Sequence, residues 1–365
     1  MHRTILVLSI VIAGWAGQAF TTSAHIHSAD GDTIAHRTGW SASFFPVLFY
    51  GPDLGLGGGG GTVISHVDSG NPRPPTISTV AFYTTKNKAL AVVSPSFTAR
   101  RGAYEIEAAL KYSSFPSSFY GIGVNVEDDD EEAYTLEEVG LEIELYRRVC
   151  CELRAGLQYE IAHDGMREFD EGGVIASRAL IGARGGRRAG LGPAAAWDSR
   201  DNRFFPTRGG WYQVRGRWYR DELGSEFNFH DVRVDLRQYL PLRTNHVLAA
   251  QVLGVQQAGE VPFSELASIG TYLRGIDPER IRDRSLALLQ GEYRLPLRGR
   301  VSGVVFGGGG LVGRSLKGLE TSSPLWAAGF GLRVAFDPVR RINFRFDVGF
   351  SRYGAQPYFQ FQEAF

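Results

Sequence analysis

Two charged residues in TYLRGIDPERIRDRSLALLQGEYRLP, residues 271–296, carry the best prospect of chemistry in this chain. Arg274 sits in a glycine-containing loop, and Glu292 follows on a strand-like run whose polar face it shares with Gln290 and Arg294. A guanidinium presents five N–H donors and stays charged, so an arginine turned inward must meet carboxylates or carbonyls. Alternation places Glu292 as the natural acceptor, and Arg274, Gly275 and Glu292 are expected to form a loop anchor. That chemistry is binding. Catalytic patterns are missing: there is no Gly-x-Ser-x-Gly elbow, no His-Glu-x-x-His, and no glycine run leading into Gly-Lys-Ser/Thr. His25, His36 and His66 are scattered, while the pairs His163 with Asp164 and His230 with Asp231 read as loop or rim residues. The acidic run 127–132, EDDDEE, lacks calcium-loop glycine spacing and reads as a solvated loop, so no metal and no cofactor are expected.

The elements that must position these residues are strands. In INFRFDVGFS, residues 342–351, Ile342, Phe344, Phe346, Val348 and Phe350 share one face, opposite Asn343, Arg345, Asp347, Gly349 and Ser351. Period two fits a soluble sandwich as well as a wall between lipid and a watery lumen. Segment number and length favour the wall. About sixteen alternating segments run from 54–66, through 173–183 as the seventh, to 357–365, lengths suited to tilted spanning strands. The fold class expected is all-β: a transmembrane antiparallel β-barrel of about 16 strands. An even count brings both ends to one side. The same count, however, puts 114–133 and 163–172 at the periplasmic end, where turns are usually short, which marks one strand as misassigned.

Export is expected, because His2 and Arg3 precede an apolar run over 5–16 and small residues offer cleavage after Ala19 or Ala24. The organisation expected is a signal peptide over 1–24, a short periplasmic segment over 25–45, and the barrel over 46–365. No other run of about 18 apolar residues occurs, so a membrane-spanning mature chain must cross with strands. The 39 basic and 39 acidic residues cancel, leaving no electrostatic footprint for nucleic acid. Cys150 and Cys151 are adjacent, a poor arrangement for a mutual disulfide, and read as packing residues or reduced thiols.

Four stretches together resemble the BamA/TamA-type bacterial surface antigen superfamily of outer-membrane assembly and translocation barrels. WDSRDNRFFPTRG, 197–209, resembles the family turn in which Asp-x-Arg-Asp precedes Pro and Gly, here Asp198, Arg200, Asp201, Pro206 and Gly209. Leu273, Arg274, Gly275 and Ile276 resemble the tip of the sixth extracellular loop, which in the family folds back into the lumen. Glu292 to Pro296 matches the strand after it, and QPYFQFQEAF, 356–365, resembles the C-terminal targeting strand, with Tyr358, Phe359, Phe361 and Phe365.

The resemblance implies an outer-membrane location, contact with outer-membrane lipid, and nascent outer-membrane proteins as substrates. Two departures qualify it. The stretch 304–310, VVFGGGG, holds no carboxylate where the family usually has an Asp, so the loop has fewer contacts or Asp347 or another lumen carboxylate substitutes. The residues 25–45 are too few for a periplasmic module, so a substrate-receiving partner is expected from a separate chain. Gly55 and Gly57 to Gly61 crowd the expected first strand, either as a weak seam or as room for close packing. Three readings result: an assembly or translocation barrel, a passive pore or structural surface antigen, and, remotely, an outer-membrane enzyme.

Overall fold

The computed structural model describes residues 39–365 apart from 53, 68–74, 101, 178, 203, 338–340 and 362. The expected export signal over 1–24 and residues 25–38 lie outside the described residues. The strands are β1 Gly39–Gly51, β2 Gly55–Val67, β3 Thr76–Thr84, β4 Ala89–Ala99, β5 Tyr104–Phe119 and β6 Glu132–Cys150. They continue with β7 Leu153–Phe169, β8 Gly185–Asp198, β9 Gly209–Tyr219, β10 Phe229–Arg243, β11 His246–Gly259, β12 Ala267–Ser268 and β13 Arg282–Asp283. The last are β14 Ser285–Arg298, β15 Val301–Gly313, β16 Leu325–Asp337, β17 Ile342–Ser351 and β18 Gly354–Phe361. Sixteen of them close into one barrel, while β12 and β13 pair only with each other. Neighbouring barrel strands are antiparallel.

Alternation builds the wall. On β14 Leu289 is exposed to the outside while Gln290, Glu292 and Arg294 are buried; on β17 Phe346 and Phe350 face out while Arg345 and Asp347 are buried. The outer face is therefore apolar for lipid and the inner face is charged. This is a barrel of the outer-membrane type, with sixteen strands as expected.

The strand list needs two corrections that cancel in the total. Residues 39–45, expected to precede the barrel, lie in β1, whose Trp40, Phe44 and Leu48 point outward while Ser41, Phe45, Val47 and Phe49 alternate inward. Pro46 obscures this strand in the sequence, because it lacks an N–H for the ladder. It is tolerated on an edge-like strand: among the described residues β1 registers along its length with β2, where Pro46 faces Gly60, and with β18 at Tyr50↔Phe359. The segment 173–183 is not a strand: it forms turns, with Ser177 N–H donating to Gly173 O at 3.0 Å and Ala183 N–H to Leu180 O at 3.2 Å. Its apolar residues Ile175 and Ala183 are buried inside the barrel mouth instead of lining the wall.

Adding a strand at the start and removing one later reverses the direction of every strand between. Residues 120–131 and 170–184 therefore join 260–284 and 314–324 at one end, and the tight turns 151–152, 244–245 and 299–300 lie at the other. Long loops mark the extracellular end and short turns the periplasmic end.

The glycine run belongs to the second strand, not the first. Cβ atoms at Gly57 and Gly61 would collide with the Phe49 and Phe45 rings, so the close-packing reading holds at those positions. The weakness lies one strand earlier. β1 and β2 pair from Gly39↔Val67 to Gly51↔Gly55, whereas among the described residues β1 and β18 register at Tyr50↔Phe359 alone.

Candidate functional site

Residues 260–284 leave the extracellular rim, form the β12–β13 hairpin and turn into the lumen. Apolar burial drives the entry: Ile269, Leu273, Ile276 and Ile281 pack against Leu253, Val255, Leu286, Leu288, Val312 and Leu325 of the wall. The carboxylate-free glycine stretch of β15 makes room for this. A Cβ on Gly310 would lie 2.8 Å from Ile269 Cδ1. At the loop tip Gly275 adopts φ +108°, and a Cβ there would meet the Phe350 nitrogen at 3.0 Å, so conformation and close approach both call for glycine. Its N–H donates to the Tyr358 hydroxyl at 2.8 Å, and its carbonyl accepts from Ser351 Oγ at 2.5 Å.

Beside it Arg274 reaches two carboxylates. Nη2 donates to Glu292 Oε2 at 2.7 Å and Nη1 to Asp347 Oδ2 at 2.5 Å, with the guanidinium 3.5 Å from the Phe306 ring centroid. The expected partner Glu292 is in place, and Asp347 on β17 substitutes for the carboxylate that β15 lacks. Neither acceptor serves Arg274 alone. Glu292 also accepts from Arg294 Nε at 2.8 Å and pairs with Arg333 Nη2 at 3.3 Å. Asp347 accepts from Arg333 Nη1 at 2.5 Å and lies 3.5 Å from Arg345 Nε. Arg333 Nε then donates to Glu363 at 2.6 Å. All these groups are buried, where an unpaired charge is costly, so the network has to act as a unit.

The Asp-x-Arg-Asp turn arrives from the periplasmic side. Asp198 holds Arg200 through two bonds, Nε to Oδ1 at 2.8 Å and Nη2 to Oδ2 at 2.9 Å. Asp201 folds the turn over itself by accepting from Thr207 N at 2.8 Å and Thr207 Oγ1 at 2.6 Å, and it also accepts from Arg341 at 2.6 Å. Partial burial alone would raise the Asp201 carboxyl, but the Thr207 and Arg341 donors outweigh it and hold the pKa at about 2. Pro206 presents its carbonyl to Arg294 Nη1 at 2.9 Å, and Gly209 adopts φ +91° against the Ser199 carbonyl. The turn motif and the loop motif thus meet through Arg294 and Glu292.

The expected targeting strand divides. Tyr358 faces the lumen and holds Gly275, whereas Phe359 stacks outside on Phe344 and Phe346 at centroid distances of 5.7 and 4.7 Å. β18 ends at Phe361, whose side chain lies outside the described residues. Phe365 is not on a strand, and it does not face lipid. It is buried against Tyr239, Val247 and Ala249, since the 363–365 segment turns inward so that Glu363 can meet Arg333.

Sequence reasoning missed Arg333 and the inward role of Glu363; the signal available was charge at inward positions of strands facing one another. It also passed over Asp164. Instead of a rim residue, Asp164 is buried and accepts from Arg188 Nε at 3.0 Å, and Arg188 pairs with Glu265 of the loop at 3.1 Å. Glu279 fastens the loop's far side, accepting from Lys88 Nζ at 2.6 Å and Ser118 N at 2.8 Å. Cys150 and Cys151 are exposed at the β6–β7 turn, so the packing reading for them fails. The acidic run includes a single turn at Asp128–Asp130, and no cluster of metal-ligating side chains occurs among the described residues.

A family model described as the Omp85 superfamily domain matches residues 78–363. No curated protein matches the chain. Among solved structures, BamA from Haemophilus ducreyi lacking POTRA domains 1-3 is similar at TM-score 0.65 and 15% identity, over 89% of this chain and 70% of that one. CdiB from Escherichia coli is similar at TM-score 0.59 and 12% identity, over 87% of this chain and 62% of that one. CdiB from Acinetobacter baumannii gives 0.55 and 10%, over 88% of this chain and 59% of that one. The chain therefore spans less than two thirds of either CdiB, and identities this low report a shared barrel fold.

Proposed function

The chain belongs to the Omp85 superfamily of bacterial outer-membrane barrels, and on that premise we propose that it inserts or translocates other outer-membrane polypeptides through the β1–β18 seam. The observation that carries this reading is the short β1–β18 ladder: among the described residues one registered pair, Tyr50↔Phe359, joins those strands, whereas β1 and β2 register from end to end. A short ladder opens more readily than a long one, and an opened strand edge offers a row of N–H and C=O groups to an extended chain, so β1 is a template for an incoming strand. In this reading residues 1–24 direct export, and a separate periplasmic chain delivers substrates.

The filled lumen supports the seam over a passive pore. The infolded loop packs into the extracellular half, and Phe119, Tyr134, Ile175, Phe229 and Phe263 form a second apolar cluster beside it.

The test locks the seam. Tyr50→Cys and Phe359→Cys, in a background with Cys150→Ser and Cys151→Ser, place thiols at the registered pair of the seam. Reconstituted into liposomes, the reduced barrel should promote insertion of a reporter outer-membrane protein and the oxidised barrel should not. Equal insertion in both states would overturn a lateral route.

A further inference from the structure

The periplasmic half of the lumen holds a second recognition feature. After β18 the chain leaves the wall, and 363–365 lies across the interior. Phe365 fills an apolar pocket of Tyr239, Val247 and Ala249 on β10 and β11, while Glu363 engages Arg333 Nε at 2.6 Å and Asn343 Nδ2 at 3.4 Å. The strands on the far side of this span are not neighbours of β18 in the wall. The segment forms no strand there, and the side chains of Glu363 and Phe365 hold it.

The charge balance explains what the pocket selects. Arg274, Arg294, Arg333 and Arg345 surround Glu292 and Asp347, and Glu363 supplies the third carboxylate. Without Glu363 the buried site would carry two more cations than anions, which favours any carboxylate that reaches it. The occupant seen is also an incomplete match. Among the described residues, Arg294 Nη2 and the Tyr239 hydroxyl make no hydrogen bond although both are buried, and Arg294 Nη2 stands 4.0 Å from Glu363 Oε2. Buried donors left unsatisfied favour exchange for a ligand that satisfies them.

We propose that this luminal pocket is a binding site for an acidic-x-aromatic segment of another polypeptide, occupied here in cis by Glu363, Ala364 and Phe365. The carboxylate is read by the Arg294 and Arg333 guanidiniums, and the ring by Tyr239, Val247 and Ala249. The inference is separate from the lateral route, because peptide binding reads the pocket whereas the seam lock reads lateral passage.

The probe is a fluorescein-labelled hexapeptide, QFQEAF, added to the purified full chain in detergent. In the wild type the tethered segment competes at high effective concentration, so Phe365→Ala should bind the peptide about tenfold tighter or more. QFQQAF and QFQEAA should each bind that variant at least about tenfold more weakly than QFQEAF, as loss of one charged or one apolar contact predicts. Equal affinity of wild type and Phe365→Ala, or of the three peptides, would overturn the proposal. If Phe365→Ala does not fold, the wild-type barrel carries the test through a peptide with benzophenone in place of its last ring. Crosslinks should map to β10 and β11, and crosslinking confined to other strands would overturn it.

Discussion

The Gly275 N–H donates to the Tyr358 hydroxyl at 2.8 Å, fastening the tip of the infolded loop to β18, a strand of the seam. Motion of β18 away from β1 must therefore carry the loop tip along or break this bond. The extracellular loop and the seam are mechanically linked through this contact.

Tyr358→Phe removes that acceptor and keeps the ring. Loss of one hydrogen bond should cost about 1 kcal/mol locally. Amide exchange over 271–276 should quicken in the variant while exchange on β10 and β11 stays unchanged. Equal protection at the loop tip would show that the apolar packing of Leu273 and Ile276 holds it unaided.

Within the charge network the two ends of the expected pair are unequal. Glu292 serves Arg274, Arg294 and Arg333, whereas Arg274 has Asp347 as a second acceptor. Glu292→Ala should therefore destabilise the barrel more than Arg274→Ala, by up to about 3–5 kcal/mol for a broken buried pair. The double variant should cost less than the sum of the two. Heat-modifiable migration and denaturant unfolding in micelles measure all three, and an Arg274→Ala loss exceeding that of Glu292→Ala would contradict the shared-acceptor geometry.

The wall was legible in the sequence because period two survives any change of tertiary context: Gln290, Glu292 and Arg294 had to share a face, as did Arg345 and Asp347. The loop anchor was legible for the same reason, with its first acceptor read from alternation on a single strand. The second acceptor was left open because Asp347 lies far along the chain from Arg274, and only barrel closure brings β17 to the loop. β1 was hidden by Pro46 and by inward serines that resemble linker composition. The stretch 173–183 read as a strand because Val174, Ile175 and Ile181 are β-branched, yet it turns to fill the barrel mouth. Local pattern does not say whether an apolar residue serves a wall or a plug.

Asp201 gives the periplasmic turn a predictable acid limit. Its folded pKa of about 2 lies below the unfolded value of about 3.9, so the turn is stabilised above about pH 4 and loses that support as pH falls through about 2. Asp201→Asn should flatten this dependence. Amide exchange at Thr207 and Arg208, followed from pH 5 down to 2.5, should show growing exposure in the wild type beyond the intrinsic rate change, and none in the variant. A wild-type turn as protected at pH 2.5 as at pH 5 would mean that Asp201 does not hold it.

The corrected strand parity makes a topological prediction that the expected list of strands would reverse. Cys150 and Cys151 are exposed at the β6–β7 turn, on the periplasmic end, while Asp129 and Glu171 are exposed in the long loops on the other. A membrane-impermeant maleimide should leave the native cysteines unmodified in intact cells and label them once the outer membrane is opened. With Cys150→Ser and Cys151→Ser in place, Asp129→Cys and Glu171→Cys should label in intact cells. Labelling of Cys150 and Cys151 from outside, with protection of the two loop cysteines, would restore the opposite parity and require β1 to leave the barrel. That outcome would also remove the Tyr50↔Phe359 seam, so the labelling pattern tests the foundation on which the lateral route stands.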